Sequence, residues 1–92
     1  MNRTQELDAL KENFKELLDH SGTNQIFKDH YMAVYKDGVL DAKTKRLIAL
    51  CGGIVAGCKG CILGQADFAI QNGATTEEIL EVCSVALSLG GT

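Results

Sequence analysis

Proline is absent from all 92 residues, and the chain has neither a low-complexity tract nor an internal repeat. The turn formers that remain, Gly with Asp, Asn, Ser and Thr, fall at spacings that punctuate helices rather than strands, so the chain is expected to be all-α. A basic surplus is missing too: nine Lys and Arg against twelve Asp and Glu leave a net charge of −3, with no cationic cluster that outweighs its acidic neighbours. That argues against a nucleic-acid partner and against an anionic membrane surface. The longest uncharged apolar stretch is shorter than the roughly 18 residues of a membrane span. Met1-Asn2-Arg3-Thr4-Gln5-Glu6 also lacks the apolar core of a secretory signal, so a cytoplasmic protein with no membrane partner is expected. At this length the expectation is one domain, residues 1–92, with a single modest core.

What the chain does have is four cysteines, two of them in the run Cys58-Lys59-Gly60-Cys61 just before a helical stretch. Cytoplasmic thiols are mostly kept reduced, so Cys51, Cys58, Cys61 and Cys83 are not read as a disulfide framework of the secreted type. Two thiols three residues apart at a helix start can close a small disulfide ring. The unsatisfied N–H groups and the positive dipole end found there stabilise a thiolate, the species that attacks disulfides and peroxides.

Two other readings stand beside this redox pair: half of a metal site, and small buried apolar residues. Zinc would need two more ligands. The chain offers Cys51, Cys83, His20 and His30 with no second close-spaced pair, so neither a metal nor a bound cofactor is expected. Cys51, in an apolar helix, and Cys83, among Val82, Val85 and Ala86, read as core fillers; His20 and His30 read as surface or cap residues. Gly52-Gly53 and Gly57 sit inside an apolar helical run without P-loop or dinucleotide spacing, which fits close helix packing better than phosphate binding.

About five helices are expected. The first, about Thr4 to His20, carries Leu7, Leu10, Phe14, Leu17 and Leu18 as one apolar stripe, and Ser21-Gly22-Thr23-Asn24 ends it. A second runs from Asn24 or Gln25 to about Lys36, and Asp37-Gly38 turns the chain. Asp41 can cap a third, which from Leu47 through Val55 has no charged side and so is expected to be buried nearly all round. The fourth, about Lys59 to Asn72, holds the cysteine pair at its start and is closed by Gly73. Thr75-Thr76-Glu77-Glu78 fits a capping box for a fifth helix, whose only charge from Ile79 to Leu89 is Glu81. A five-helix chain of this size cannot cover two helices that are apolar on most faces, so a closed homo-oligomer is expected.

The run Asp37-Gly38-Val39-Leu40-Asp41-Ala42-Lys43-Thr44-Lys45-Arg46-Leu47-Ile48-Ala49-Leu50, followed by Cys58-Lys59-Gly60-Cys61 and by Asn72-Gly73-Ala74-Thr75-Thr76-Glu77-Glu78-Ile79, resembles the core of the carboxymuconolactone decarboxylase family, in its alkylhydroperoxidase D-like branch. The resemblance spans Gly38 to Gly91. It implies an all-helical fold assembling as trimers or hexamers, and a thiol reductant or lipoyl-type donor as partner. It also implies site roles: Cys61 attacks a peroxide and Cys58 resolves the resulting sulfenic acid to a disulfide. Peroxidase-competent relatives add a Glu twelve residues before the first cysteine and a His four residues after the second, as a proton relay. This chain carries Arg46 and Gln65 there.

That departure bears directly on the activity. Arg46 has no accessible neutral form and Gln65 does not titrate, so neither moves a proton, and general acid–base help is typically worth about 10²–10⁴-fold. Gln65, one helical turn after Cys61, can still donate a hydrogen bond to a sulfur; the direction of Arg46 depends on the turn between the helices. A solvated or subunit-interface charge is the other reading of Arg46. The sequence therefore predicts either a thiol–disulfide oxidoreductase or weak alkylhydroperoxide reductase with site residues Cys58, Cys61, Gln65 and Arg46, or a noncatalytic oligomeric member of the family.

Overall fold

The structure is a computed structural model that describes residues 2–90; Met1, Gly91, Thr92 and the side chains of Leu18 and Ser21 lie outside the described residues. The Leu18 member of the expected first stripe and the last residue of the expected family core therefore lie outside it as well. Five α-helices and no strand make up the described residues: α1 (Arg3–Ser21), α2 (Asn24–Val34), α3 (Ala42–Ala56), α4 (Lys59–Gln71) and α5 (Thr76–Ser88). They fall into two compact units, one up to Lys36 and one from Asp37 onward.

The first unit is a helix pair. α1 starts one residue earlier than expected, because Asn2 and Gln5 form a reciprocal cap: the Gln5 N–H donates to Asn2 Oδ1 at 2.8 Å and the Asn2 N–H to Gln5 Oε1 at 3.0 Å. Gly22 ends the helix with φ of 76°, a left-handed conformation that costs glycine little. α2 stops at Val34, short of the expected Lys36. The unit is held by rings. Phe14 meets Phe27 edge-on at 5.2 Å between centroids, Phe27 stacks on Tyr31 at 5.7 Å, and Tyr31 reaches Tyr35 at 4.7 Å. Phe27, Tyr31 and Tyr35 recur every four residues, which puts them on one side of α2. No described residue of this unit is fully buried.

The second unit owns the core. Asp41 caps α3, its Oδ1 accepting the Thr44 N–H at 2.8 Å, while Asp37 Oδ1 takes the Ala42 N–H at 2.7 Å. Thr75 and Glu78 form the expected capping box at the start of α5, at 3.1 and 2.9 Å. Leu50, Ala69 and Ala86 are buried at 2 %, 0 % and 0 % exposure, one from each of α3, α4 and α5.

Two expectations need correction here. Gly57 does not continue α3: it adopts φ of 68° and ends the helix, and the Cys58 N–H then reaches back to the Gly53 carbonyl at 3.0 Å. Nor is α3 buried nearly all round within the chain. Arg46, Leu50 and Gly53 are buried, but Ile48 and Val55 are 56 % and 40 % exposed. The physical reason is supply: within its unit α3 packs against α4 and α5, and two helices cover only part of its circumference. Beside the covered part, Leu47, Ile48, Cys51, Val55, Val82, Val85 and Leu89 line an open apolar groove of about 680 Å³ between α3 and α5.

Candidate active site

Cys58 occupies the N-cap of α4, with extended backbone (φ −93°, ψ 101°), and its Sγ accepts the Cys61 N–H at 3.2 Å. A sulfur thus does what a Ser or Asp oxygen does at an ordinary cap. Cys58 and Cys61 are joined as a disulfide with their Cα atoms 5.2 Å apart, inside the range such bridges adopt. Cys58 is half-buried and Cys61 exposed. On reduction, a Cys58 thiolate would keep the same N–H and gain the positive end of the α4 dipole, both of which favour the charged form.

The neighbouring helix holds the pair in place through Gly53. A Cβ at this position would lie 3.0 Å from the Cys61 Cβ and 3.3 Å from the Cys61 carbonyl carbon, so glycine lets the two helices approach to a distance at which any side chain would push α4 back. Its carbonyl at the same time takes the Cys58 N–H. Small-residue packing was expected of the Gly52-Gly53 pair, and Gly53 bears it out; Gly52 has no atom within 4 Å of its would-be Cβ.

Arg46 sits seven residues before Gly53 on the same buried stripe and is 8 % exposed. It is not a solvated charge. Its Nη1 donates to Gln65 Oε1 at 3.0 Å, and its Cζ lies 4.0 Å from the centroid of the Phe68 ring. A buried cation costs several kcal/mol unless its donors find partners. A charged hydrogen bond (about 1.5–3 kcal/mol) and a desolvated ring face (about 2 kcal/mol) offset a cost of that order. Because guanidinium only donates, the Gln65 oxygen must be the atom turned toward it, and the Gln65 NH₂ is left to face elsewhere.

Two stripes are therefore in register: Arg46, Leu50 and Gly53 on α3, and Cys61, Gln65 and Phe68 on α4, each with the i, i+4, i+7 spacing of one helix face. The expected site residues fall into two linked pairs, Cys58 with Cys61 and Arg46 with Gln65. Phe68 and the contact of Gly53 with Cys61 were not anticipated. The signal was present in the shared spacing, but only once α4 was known to lie along α3.

The other candidates lie apart. Cys51 and Cys83 are free and half-buried rather than enclosed core residues, Cys51 because it borders the open groove. His20 and His30 are exposed, as expected. Among the described residues no three His, Cys, Asp or Glu side chains cluster as a metal site, and no helix is long and apolar enough to cross a membrane.

An all-helical chain with a two-cysteine disulfide capping its fourth helix is the class that fold and site define. The profile of the Carboxymuconolactone decarboxylase family matches residues 22–92, and the chain belongs to that family. Its likeness to the alkylhydroperoxidase D-like branch is consistent with this. A Thermotoga maritima crystal structure superposes with a TM-score of 0.81 at 31 % identity, covering 96 % of this chain and 79 % of that one. Another crystal structure of the same protein, given there as a carboxymuconolactone decarboxylase family member with a suggested part in antioxidative response, superposes with 0.70 at 38 % identity over 76 % and 72 %. A family member from Legionella pneumophila in its apo form gives 0.74 at 31 % identity over 95 % and 76 %. "Uncharacterized protein 4 in cox locus" of Paracoccus denitrificans is 43 % identical over 56 residues, 61 % of this chain and 50 % of that protein. The chain spans little more than half the length of the curated relatives it matches.

Proposed function

We propose that the chain is a cytoplasmic thiol–disulfide redox protein that cycles Cys58 and Cys61 between dithiol and disulfide, acting as one family domain. The observation that carries this reading is the Cys58–Cys61 disulfide at the α4 N-cap, with the Cys61 N–H donating to Cys58 Sγ. Cys61, the more exposed residue of the pair, is the nucleophile; Cys58, whose thiolate the cap stabilises, resolves the intermediate. Gln65 is the polar neighbour one turn on, and Arg46 holds it. The suggested antioxidative role of the Thermotoga maritima relative points the same way. A small thiol or a lipoyl-type dithiol would return the pair to its reduced state.

Turnover with dithiothreitol or a dihydrolipoyl donor, compared between the native chain and Cys61→Ser, tests this. The native chain is expected to consume oxidant well above background and the variant to fall to it. Equal rates would instead favour a noncatalytic oligomeric binding or scaffold member, a reading supported by Arg46 and Gln65, neither of which can relay a proton. Either way we infer a trimer or hexamer, because Ile48, Val55, Leu80, Val85 and Leu87 are 40–61 % exposed in the single chain. Sedimentation at micromolar concentration checks the assembly.

A further inference from the structure

On the redox reading above, we propose that Arg46 tunes the cysteine pair from inside the α3–α4 seam: its sealed charge favours the thiolate of the reduced state over the uncharged disulfide, so a donor reduces the pair more readily. The seam is antiparallel. Gly53 lies against Cys61, and seven residues earlier Arg46 lies against Gln65 and Phe68, four and seven residues after Cys61. Arg46 Nη1 meets the Gln65 oxygen at 3.0 Å, and Gln65 follows Cys61 on one helix face by about 6 Å of rise. The cation is thus carried to within about one helical turn of the level of Cys61.

Burial decides how far that charge is felt. Arg46 is 8 % exposed, so salt and water reach the guanidinium poorly and its field runs through packed protein; Gln65 and Phe68, which hold it, carry no charge of their own. The other charges of the unit are placed differently. Lys59 stands between the two cysteines but is exposed, and half-buried Asp67, six residues after Cys61, takes Gln71 Nε2 at 2.8 Å. Lys43 and Glu78 are tied to each other, Lys45 is half-buried near the start of α3, and Glu77 and Glu81 are exposed on α5. At about 10 Å and an effective dielectric of about 20, a unit charge moves a titration by about one pH unit, and the exposure of Cys61 to water reduces that. An effect of about half a pH unit remains.

The test equilibrates the full chain with reduced and oxidised glutathione at about pH 8, where thiolates are populated, and reads Cys58 and Cys61 by alkylation and mass spectrometry. Two glutathione thiols reduce the pair: its S–S bond breaks, one forms in glutathione, and two electrons enter the protein. The two protons stay on the new thiols or pass to solvent as these ionise. Arg46→Gln keeps a donor for Gln65 and Arg46→Met keeps apolar contact with Phe68, while both remove the charge; replacing a buried ion by a side chain of similar size often leaves the fold intact. Both are expected to shift the equilibrium toward the disulfide by about threefold and to raise the thiolate titration midpoint by about half a pH unit. A loss of packing or of a hydrogen bond would not move the two variants alike. An unchanged equilibrium in Arg46→Gln, or a shift in the opposite sense, overturns the proposal. The native chain supplies a second measurement that needs no variant: its equilibrium is expected to hold within a factor of about 1.5 between about 0.05 and 1 M salt. A disulfide that strengthens severalfold at high salt assigns the bias to exposed Lys59 and overturns the proposal as well. A pair that never exchanges with glutathione fails the redox reading itself, whereas a pair that exchanges yet ignores the charge at position 46 fails this proposal alone.

Discussion

The α1–α2 unit and the α3–α5 unit are both helical and each holds one reciprocal capping box, yet they are stabilised in different ways. In the first, four aromatic rings touch in sequence and no described residue is fully buried; in the second, Leu50, Ala69 and Ala86 are sealed and a cation is enclosed with them. The candidate chemistry sits wholly in the unit with its own core. A reactive pair needs its sulfurs held to within a fraction of an ångström, and rigid packed helices supply that better than a pair of half-covered ones. The contrast also separates what one chain stabilises alone from what association would have to complete.

The sharpest break in the comparison is a core truncation set against an exposed one. Leu50→Ala removes a side chain that is 2 % exposed and is expected to cost about 2–5 kcal/mol by urea unfolding. Ile26→Ala, at a position 73 % exposed in the first unit, is expected to stay within about 0.5 kcal/mol. A large loss at Ile26 that depends on protein concentration would mean that another copy covers that face.

Next come the adjacent glycines of α3, where alanine is expected to act with opposite signs. At Gly52 a methyl meets nothing within 4 Å, so Gly52→Ala should stabilise by about 0.5–1 kcal/mol through helix propensity alone. At Gly53 the methyl meets the Cys61 Cβ at 3.0 Å and backbone atoms at 3.3 Å. Overpacking of about 1–3 kcal/mol then outweighs the same propensity gain. Gly53→Ala should also change the rate at which Cys58 and Cys61 close, read by thiol titration, whereas Gly52→Ala should not.

These glycines mark where sequence reasoning works and where it stops. Helix ends were legible because their causes are local: Asp41 with Thr44, Thr75 with Glu78, and Gly22 each act within three or four residues. The cysteine pair was legible for the same reason. The Arg46–Gln65 bond joins residues 19 apart, and its existence depends on how α4 crosses α3, which no local pattern encodes. Gly57 was mistaken for a packing residue because a left-handed φ leaves no mark in an apolar run. The burial expected around α3 went astray differently: an apolar pattern states what a helix can bury, not how much of it one chain covers.

Capping sharpens the comparison at a smaller scale, since each unit has one reciprocal box. Thr75→Ala removes the oxygen that accepts the Glu78 N–H and is expected to lower global stability by about 1 kcal/mol, because α5 is part of the core unit. Asn2→Ala removes the equivalent bond to the Gln5 N–H in a unit where no described residue is buried. Its effect should appear as faster amide exchange in the first turn of α1, with little change in the global unfolding midpoint.

The smallest expected effect is electrostatic and belongs to the second unit alone. Lys43 Nζ and Glu78 Oε2 are 2.8 Å apart, joining the start of α3 to the capping box of α5. The Lys43 side chain, together with the Thr75 N–H, holds the Glu78 carboxyl below its ordinary value, and Glu78 in turn raises Lys43. A depressed acid in the folded state means that the unfolded chain binds the proton more readily. The stabilisation is therefore complete above the unfolded carboxylate value of about 4.3 and is lost as pH falls through the lower folded value. For the raised lysine the sense is reversed: its contribution is complete below about 10.4 and is lost only as pH climbs through the higher folded value. Glu78→Gln keeps a side-chain oxygen for the Thr75 N–H but not the charge, so it should flatten the acid limb of the melting temperature between about pH 5 and 3 while leaving the cap in place. A residual acid limb is still expected from Asp41, whose bonds to Thr44 lower it in the same sense. An acid limb in Glu78→Gln as steep as in the native chain would assign the pH response to groups other than this bridge.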